Sequence, residues 1–120
     1  MEKDLAPIIL FAYNRPIHTS KVLDALALNK EAKHSILYIY CDGPRKDATT
    51  EEKGCINEVK ALAQKENRFK KVIIKEQSNN KGLANSILDG VTDVINEYGE
   101  IIVLEDDIKV EASFLKYMNE

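Results

Sequence analysis

Four short apolar runs punctuate this chain, and a helical pattern follows each of them. The runs are Pro7–Tyr13, Ser35–Cys41, Lys71–Lys75 and Ile101–Leu104. Each is brief, continuous and rich in β-branched or aromatic residues, which reads as a strand buried on both faces. Strands alternating with helices imply a parallel sheet with right-handed crossovers. The predicted order is β-α-β-α-β-α-β-α in a mostly parallel, Rossmann-like α/β sheet. A length of 120 residues suits one domain. No repeat, low-complexity tract or linker divides it.

The intervening segments carry helix signals. Pro16 ends the first run, and Thr19 or Ser20 is expected to open a helix with Val22, Leu23 and Leu26 on one face. His18 and His34 flank that helix and read as surface residues or caps, since no second His or Cys completes a site. Asp42-Gly43-Pro44-Arg45 is a strong turn signal. Thr49 and Glu52 have capping-box spacing, and Ile56, Val59 and Ala63, with Leu62 beside them, form the buried face of a second helix. Its polar face is Glu58, Lys60, Gln64 and Lys65. A third helix is expected from about Leu83 to Glu97, with Leu83, Ile87, Val91 and Ile95 as one stripe. Gly99 stands where a left-handed helix end is wanted. A last amphipathic segment, 112–120, carries Phe114, Leu115 and Met118.

Charge and cysteine content exclude some functions. The 17 basic and 20 acidic residues give a net charge of −3, whereas a nucleic-acid binder is clearly basic. No apolar run reaches the length of a membrane span. The N-terminus lacks the basic region and apolar core of a signal peptide, so a cytosolic location is expected. Cys41 reads as a small buried hydrophobe and Cys55 lies in a helical pattern. They form no Cys-x-x-Cys pair, and no disulfide between them is expected.

The chemistry gathers where the strands end. In an open parallel sheet, ligands bind in the crevice beyond the carboxyl ends of the strands. The first strand ends in Tyr13-Asn14-Arg15, the second in Asp42-Gly43 and the fourth in Glu105-Asp106-Asp107. The third leads into Asn80-Lys81-Gly82 at a helix start, where free N–H groups favour anions. Three adjacent acids repel one another unless a cation sits among them, and carboxylate oxygens suit Mg²⁺ or Mn²⁺. An alternative reading gives Asp106 or Asp107 to a turn or to the cap of the helix beginning near Ala112. Arg15 as a cation, Asp42 as an acceptor for sugar hydroxyls, an anion-friendly helix end and a metal site together fit a nucleoside diphosphate with its metal. No phosphate-loop motif, no Gly-x-Gly-x-x-Gly after the first strand and no Gly-x-Ser-x-Gly elbow is present.

Three stretches carry a resemblance: Phe11-Ala12-Tyr13-Asn14-Arg15-Pro16, Asn80-Lys81-Gly82-Leu83-Ala84-Asn85 and Ile102-Val103-Leu104-Glu105-Asp106-Asp107. They resemble the nucleotide-sugar half of a GT-A glycosyltransferase. The first two are similar to family-2 transferases. The third is similar to the Glu-Asp-Asp form of the Asp-x-Asp motif in the N-acetylglucosaminyltransferase I type. The resemblance implies that Asp107 binds Mn²⁺ or Mg²⁺ bridging the two phosphates. It implies that Asp106 holds the ribose or donor sugar, Glu105 contacts the sugar, and Asp42 faces uracil or ribose. Arg15 would approach the base or diphosphate, with Tyr13, Asn14, Lys81 and Gly82 lining the same nucleotide-sugar site. The ligand would be a nucleotide-diphosphate sugar, a UDP-sugar first, and the strand order three, two, one, four.

Two departures stand out. Asn85 and Ser86 occupy a helix position where many family-2 members carry Arg. The chain also stops soon after the metal motif, so the acceptor region and general base are expected beyond Glu120. Residues 1–120 thus read as a truncated donor-binding portion, inactive alone. Membrane association would come only through a longer protein. Self-association is expected through the fourth strand's edge or the C-terminal helix. The rival readings are a nucleotidyltransferase, a non-catalytic nucleotide-binding α/β module, a receiver domain and a structural module. A nucleotidyltransferase usually has a Gly-rich basic loop where this chain has Asn14-Arg15-Pro16. A receiver has paired acids after its first strand.

Overall fold

The computed structural model describes residues 5–106 and 114–119. The elements run β1 (Ile8–Ala12), α1 (Pro16–Ala27), a 3₁₀ turn (Ala32–His34), β2 (Ile36–Cys41), α2 (Thr50–Lys65), β3 (Lys71–Glu76), α3 (Leu83–Tyr98), β4 (Ile102–Glu105) and α4 (Phe114–Met118). The four strands form one sheet in the order β3-β2-β1-β4, with every pairing parallel. The expected α/β class and parallel sheet are therefore present. The order is the one the resemblance implies, but doubly wound folds in general begin the same way.

Strand β1 lies in the middle, and all five of its residues are buried. Alternation sends Ile8, Leu10 and Ala12 to one face and Ile9 and Phe11 to the other. On the first face they join Leu37, Ile39 and Leu104 beneath Val22, Leu23 and Leu26 of α1, Val59 and Ala63 of α2, and Leu115 of α4. On the second face Ile9, Phe11, Tyr38 and Tyr40 pack against Val94 of α3. Burying a side chain the size of Ile8 or Leu10 contributes roughly 1.5–3 kcal/mol.

Several local expectations are met. Thr49 is the N-cap of α2, its Oγ1 accepting from the Glu52 N–H at 3.1 Å. Gly99 ends α3 in the left-handed region at φ 82°. Both cysteines are free thiols, and burial pushes that of Cys41 up to about 12. The final segment forms α4 from Phe114, and the buried Asn29 ties it to α1. The Asn29 Oδ1 accepts from the Leu115 N–H at 2.9 Å, while its Nδ2 donates to the Ala25 carbonyl.

Two expectations need correction. Helix α1 begins at Pro16, not at Thr19 or Ser20. Proline lacks an N–H that the first helical position does not need, and its fixed φ suits that position. His18 therefore lies within α1 and His34 within the 3₁₀ turn, both exposed. In α3 the fully buried stripe is Ser86, Gly90 and Val94, whereas Leu83 and Ile95 are exposed by 53% and 39%. The helix lies directly over aromatic rings. A Cβ on Gly90 would stand 3.0 Å from the ring of Phe11 and 3.2 Å from Cζ of Tyr40. Only a small residue allows that approach, so the contact line sits one position away from the apolar stripe. The far end of α3 meets the sheet where the Tyr98 and Tyr38 hydroxyls lie 3.3 Å apart.

Candidate functional site

A cleft of about 220 Å³ opens at the carboxyl ends of β1, β2 and β4. The end of β1 supplies Tyr13, Asn14 and Arg15, the end of β2 supplies Tyr40 and Asp42, and the end of β4 supplies Glu105 and Asp106. Asn80, Gly82, Leu83 and Ser86 close it from the start of α3, and Arg45 comes from the turn after β2. The parallel sheet is what brings these distant residues to one rim. Of the expected site residues, Tyr13, Asn14, Arg15, Asp42, Gly82, Glu105 and Asp106 all line this cleft. Asp107, the expected metal ligand, lies outside the described residues.

Lys81 is placed differently from its neighbours. Its ammonium pairs with Asp89 of α3 and lines a separate pocket on the far side of the helix start. Only its backbone turns inward, and it turns to Asp42. The carboxylate of Asp42, 8% exposed, accepts on Oδ1 from the N–H groups of Gly43 at 2.9 Å and Lys81 at 2.8 Å. On Oδ2 it accepts from the Gly82 N–H at 3.0 Å and from Nδ2 of Asn80 at 3.2 Å. A carboxylate offers about four acceptor positions. Asp42 thus holds the loop before α3 in place, and a ligand hydroxyl reaching it would share oxygens already engaged.

The neighbouring turn is built around the same contact. A Cβ on Gly43 would lie 2.6 Å from the Gln77 carbonyl oxygen and 2.7 Å from the Asn79 nitrogen. Glycine is required because two stretches of backbone touch there. Asn80 completes the seam, its N–H donating to the Pro44 carbonyl at 3.1 Å and its Nδ2 to the Gly43 carbonyl at 3.1 Å.

Gly82, at φ 87°, is the N-cap residue of α3 and supplies no capping side chain. The first turn of α3 carries no acidic residue, but the Asp42 carboxylate, accepting from the Lys81 and Gly82 N–H groups, already sets a negative charge beside the positive end of the helix. Arg15 and Arg45 enter no ion pair among the described residues. The cleft therefore has cationic groups on the β1 and β2 side and two carboxylates, Glu105 and Asp106, on the β4 side. Those carboxylates are hard oxygen donors of the kind that Mg²⁺ and Mn²⁺ take.

Sequence reasoning missed Arg45, Tyr40 and Ser86. Arg45 was inside a turn signal and gave no separate sign of its direction. Tyr40 and Ser86 are 7% and 8% exposed, and neither hydroxyl has a partner among the described residues. Burial, followed by the charges of Asp93 and Asp89, pushes the Tyr40 hydroxyl above its usual range. Asn85 turns its Nδ2 back to the Lys81 carbonyl at 3.1 Å. No protein-family model, no curated protein and no solved structure matches this chain.

Proposed function

We propose that this chain binds a nucleotide-diphosphate sugar together with a divalent metal, as the donor side of a GT-A-type glycosyltransferase. The observation that supports this reading is the gathering of Tyr13-Asn14-Arg15, Asp42-Gly43, Gly82 with the start of α3, and Glu105-Asp106 around one cleft. Arg15 and Arg45, both in the cleft lining, supply positive charge where a diphosphate needs it. Tyr13 offers a flat face to a base. In this reading Asp107 is the ligand for Mn²⁺ or Mg²⁺, Asp106 holds the ribose or donor sugar and Glu105 contacts the sugar. Such a metal would supply charge neutralisation for a departing nucleoside diphosphate. Asp42 keeps the loop at the cleft's back wall in register, and its carboxylate lies within the cleft.

The test is thermal unfolding of the chain with UDP, with and without Mn²⁺. UDP at a hundred times its dissociation constant adds about 2.7 kcal/mol. Asp107→Asn abolishes the Mn²⁺-dependent part and leaves unfolding without ligand unchanged. Failure of UDP to stabilise the chain in the presence of Mn²⁺ overturns the reading, and equal affinity in the variant removes Asp107 from it.

For assembly, the same reading includes a two-fold dimer through the outer edge of β4, where Val103 is 39% exposed. The opposite edge, β3, is guarded by the exposed Lys71 and Lys75. A monomer in sedimentation at tens of micromolar refutes the dimer.

A further inference from the structure

The wall of the cleft built from β2 and the start of α3 offers a ligand few free groups. Its side chains are those of Tyr40, Asp42, Arg45, Asn80, Leu83 and Ser86. The hydroxyls of Tyr40 and Ser86 are shut off from solvent. The Asp42 carboxylate already accepts from Gly43, Asn80, Lys81 and Gly82, which fills its acceptor positions. Leu83 is apolar, and an arginine such as Arg45 only donates. Asn80 is the exception.

Asn80 is half-buried, and its N–H donates to the Pro44 carbonyl at 3.1 Å. Its Nδ2 donates to Asp42 Oδ2 at 3.2 Å and to the Gly43 carbonyl at 3.1 Å. Both neighbours are acceptors, so the amide cannot be turned over, and the nitrogen must face them. The same rigid plane turns Oδ1 away from them, and Oδ1 accepts from no described group. Among the described residues, this wall thus presents one uncommitted side-chain acceptor, held in a fixed direction. A preorganised acceptor discriminates, because it takes an N–H or O–H and repels a lone pair.

We infer that Asn80 reads the base, and that its Oδ1 accepts the ring N–H of a uracil-type imide. The inference rests on the nucleotide reading above. In that reading the metal and the diphosphate lie by the acids that end β4. Strand β2 lies two places away in the order β3-β2-β1-β4, about 10 Å across the sheet. The base, at the other end of the nucleotide, falls on the Asn80 wall. Asp42, its acceptor positions filled, is left as a fastening of that wall. A cytosine ring presents a lone pair where uracil presents the N–H, and is disfavoured.

The experiment is a calorimetric titration of the whole chain, with Mg²⁺ present, by UDP, CDP and UDP methylated at N3. UDP is expected to bind at least about tenfold more tightly than either analogue. In Asn80→Ala the three should bind within about twofold of one another. Loss of the Nδ2 bonds loosens the wall for every nucleotide alike, so the ratio of affinities reports the contact and the absolute affinity does not. A second readout needs no variant: UDP with Mg²⁺ shifts the Asn80 side-chain amide resonances, and diphosphate with Mg²⁺ does not. Equal binding of UDP and its N3-methyl analogue to the wild type overturns the inference. So does a ratio that survives Asn80→Ala, or an Asn80 amide that UDP leaves unmoved. Absence of UDP binding altogether overturns the nucleotide reading as well, an outcome distinct from binding without discrimination.

Discussion

The backbone N–H of Lys81 donates to Oδ1 of Asp42 at 2.8 Å, across 39 residues of chain. This bond fastens the loop before α3 to the end of β2, and with it one wall of the cleft. Asp42→Ala leaves the Gly43, Lys81 and Gly82 N–H groups without their acceptor. The expected loss is roughly 1–3 kcal/mol of stability by urea unfolding. UDP and inorganic diphosphate should weaken alike, because the wall itself moves. Selective loss of UDP alone would instead identify Asp42 as a direct ligand contact.

Two glycine substitutions should have opposite signs. At Gly43 an added methyl meets the backbone of Gln77 and Asn79 at 2.6–2.7 Å, and Gly43→Ala is expected to cost about 1–3 kcal/mol, as overpacking does. Gly54 lies in α2 with nothing within 4 Å of its would-be Cβ. Gly54→Ala should stabilise the chain by about 0.5–1 kcal/mol through helix propensity. Denaturant midpoints of the two variants check both directions together.

Stability should also depend on acid pH through Glu66. Burial alone would raise its carboxyl, but hydrogen bonds from the Arg68 side chain and backbone outweigh that and hold it below the usual range. Arg68 also bridges to Asp24 of α1 at 3.0 Å. A carboxyl held low in the folded state adds stability above the unfolded value of about 4.3. That contribution disappears as the pH falls through the folded value. Glu66→Gln should therefore be less stable than wild type at neutral pH, with the gap closing in strong acid. A gap that is constant with pH would mean that the charge of Glu66 plays no part.

Helix α3 offers a packing test. Gly90→Val places two methyl groups against Phe11 and Tyr40, where even a Cβ is tight at 3.0 Å. The helix must rise, and both stability and UDP binding should fall. Phe11→Leu in the same chain should restore part of the stability, since it removes the ring edge that the valine meets. No restoration would show that the strain lies elsewhere.

Much of this architecture was legible because its causes are local. The strands announce themselves in runs such as Ile8–Ala12, and the Thr49 cap needs only the N–H of Glu52 three residues on. The rule that a parallel sheet gathers its strand ends on one rim then places Tyr13, Asp42 and Glu105 together. What escaped was non-local or ambiguous. Pro16 serves equally as the end of a strand and the first residue of a helix, and the second use prevailed. Leu83, Ile87, Val91 and Ile95 form a regular stripe, but the sheet beneath is paved with Phe11 and Tyr40, which admit Ser86 and Gly90 instead. Asp42's bonds to Lys81 and Gly82 span 39 and 40 residues and leave no trace in local pattern.

Among the described elements, α3 alone covers the sheet face formed by Ile9, Phe11, Tyr38 and Tyr40, while the other face is shared by α1, α2 and α4. The helix that walls the cleft thus shares its sheet face with no other described helix, and an element held from one side only can open on its own. Its detachment would dismantle the cleft without unfolding the sheet. Occupancy of the cleft should then be readable as slowed amide exchange along the whole of α3, at Val94 in mid-helix as much as at Ser86 beside the ligand.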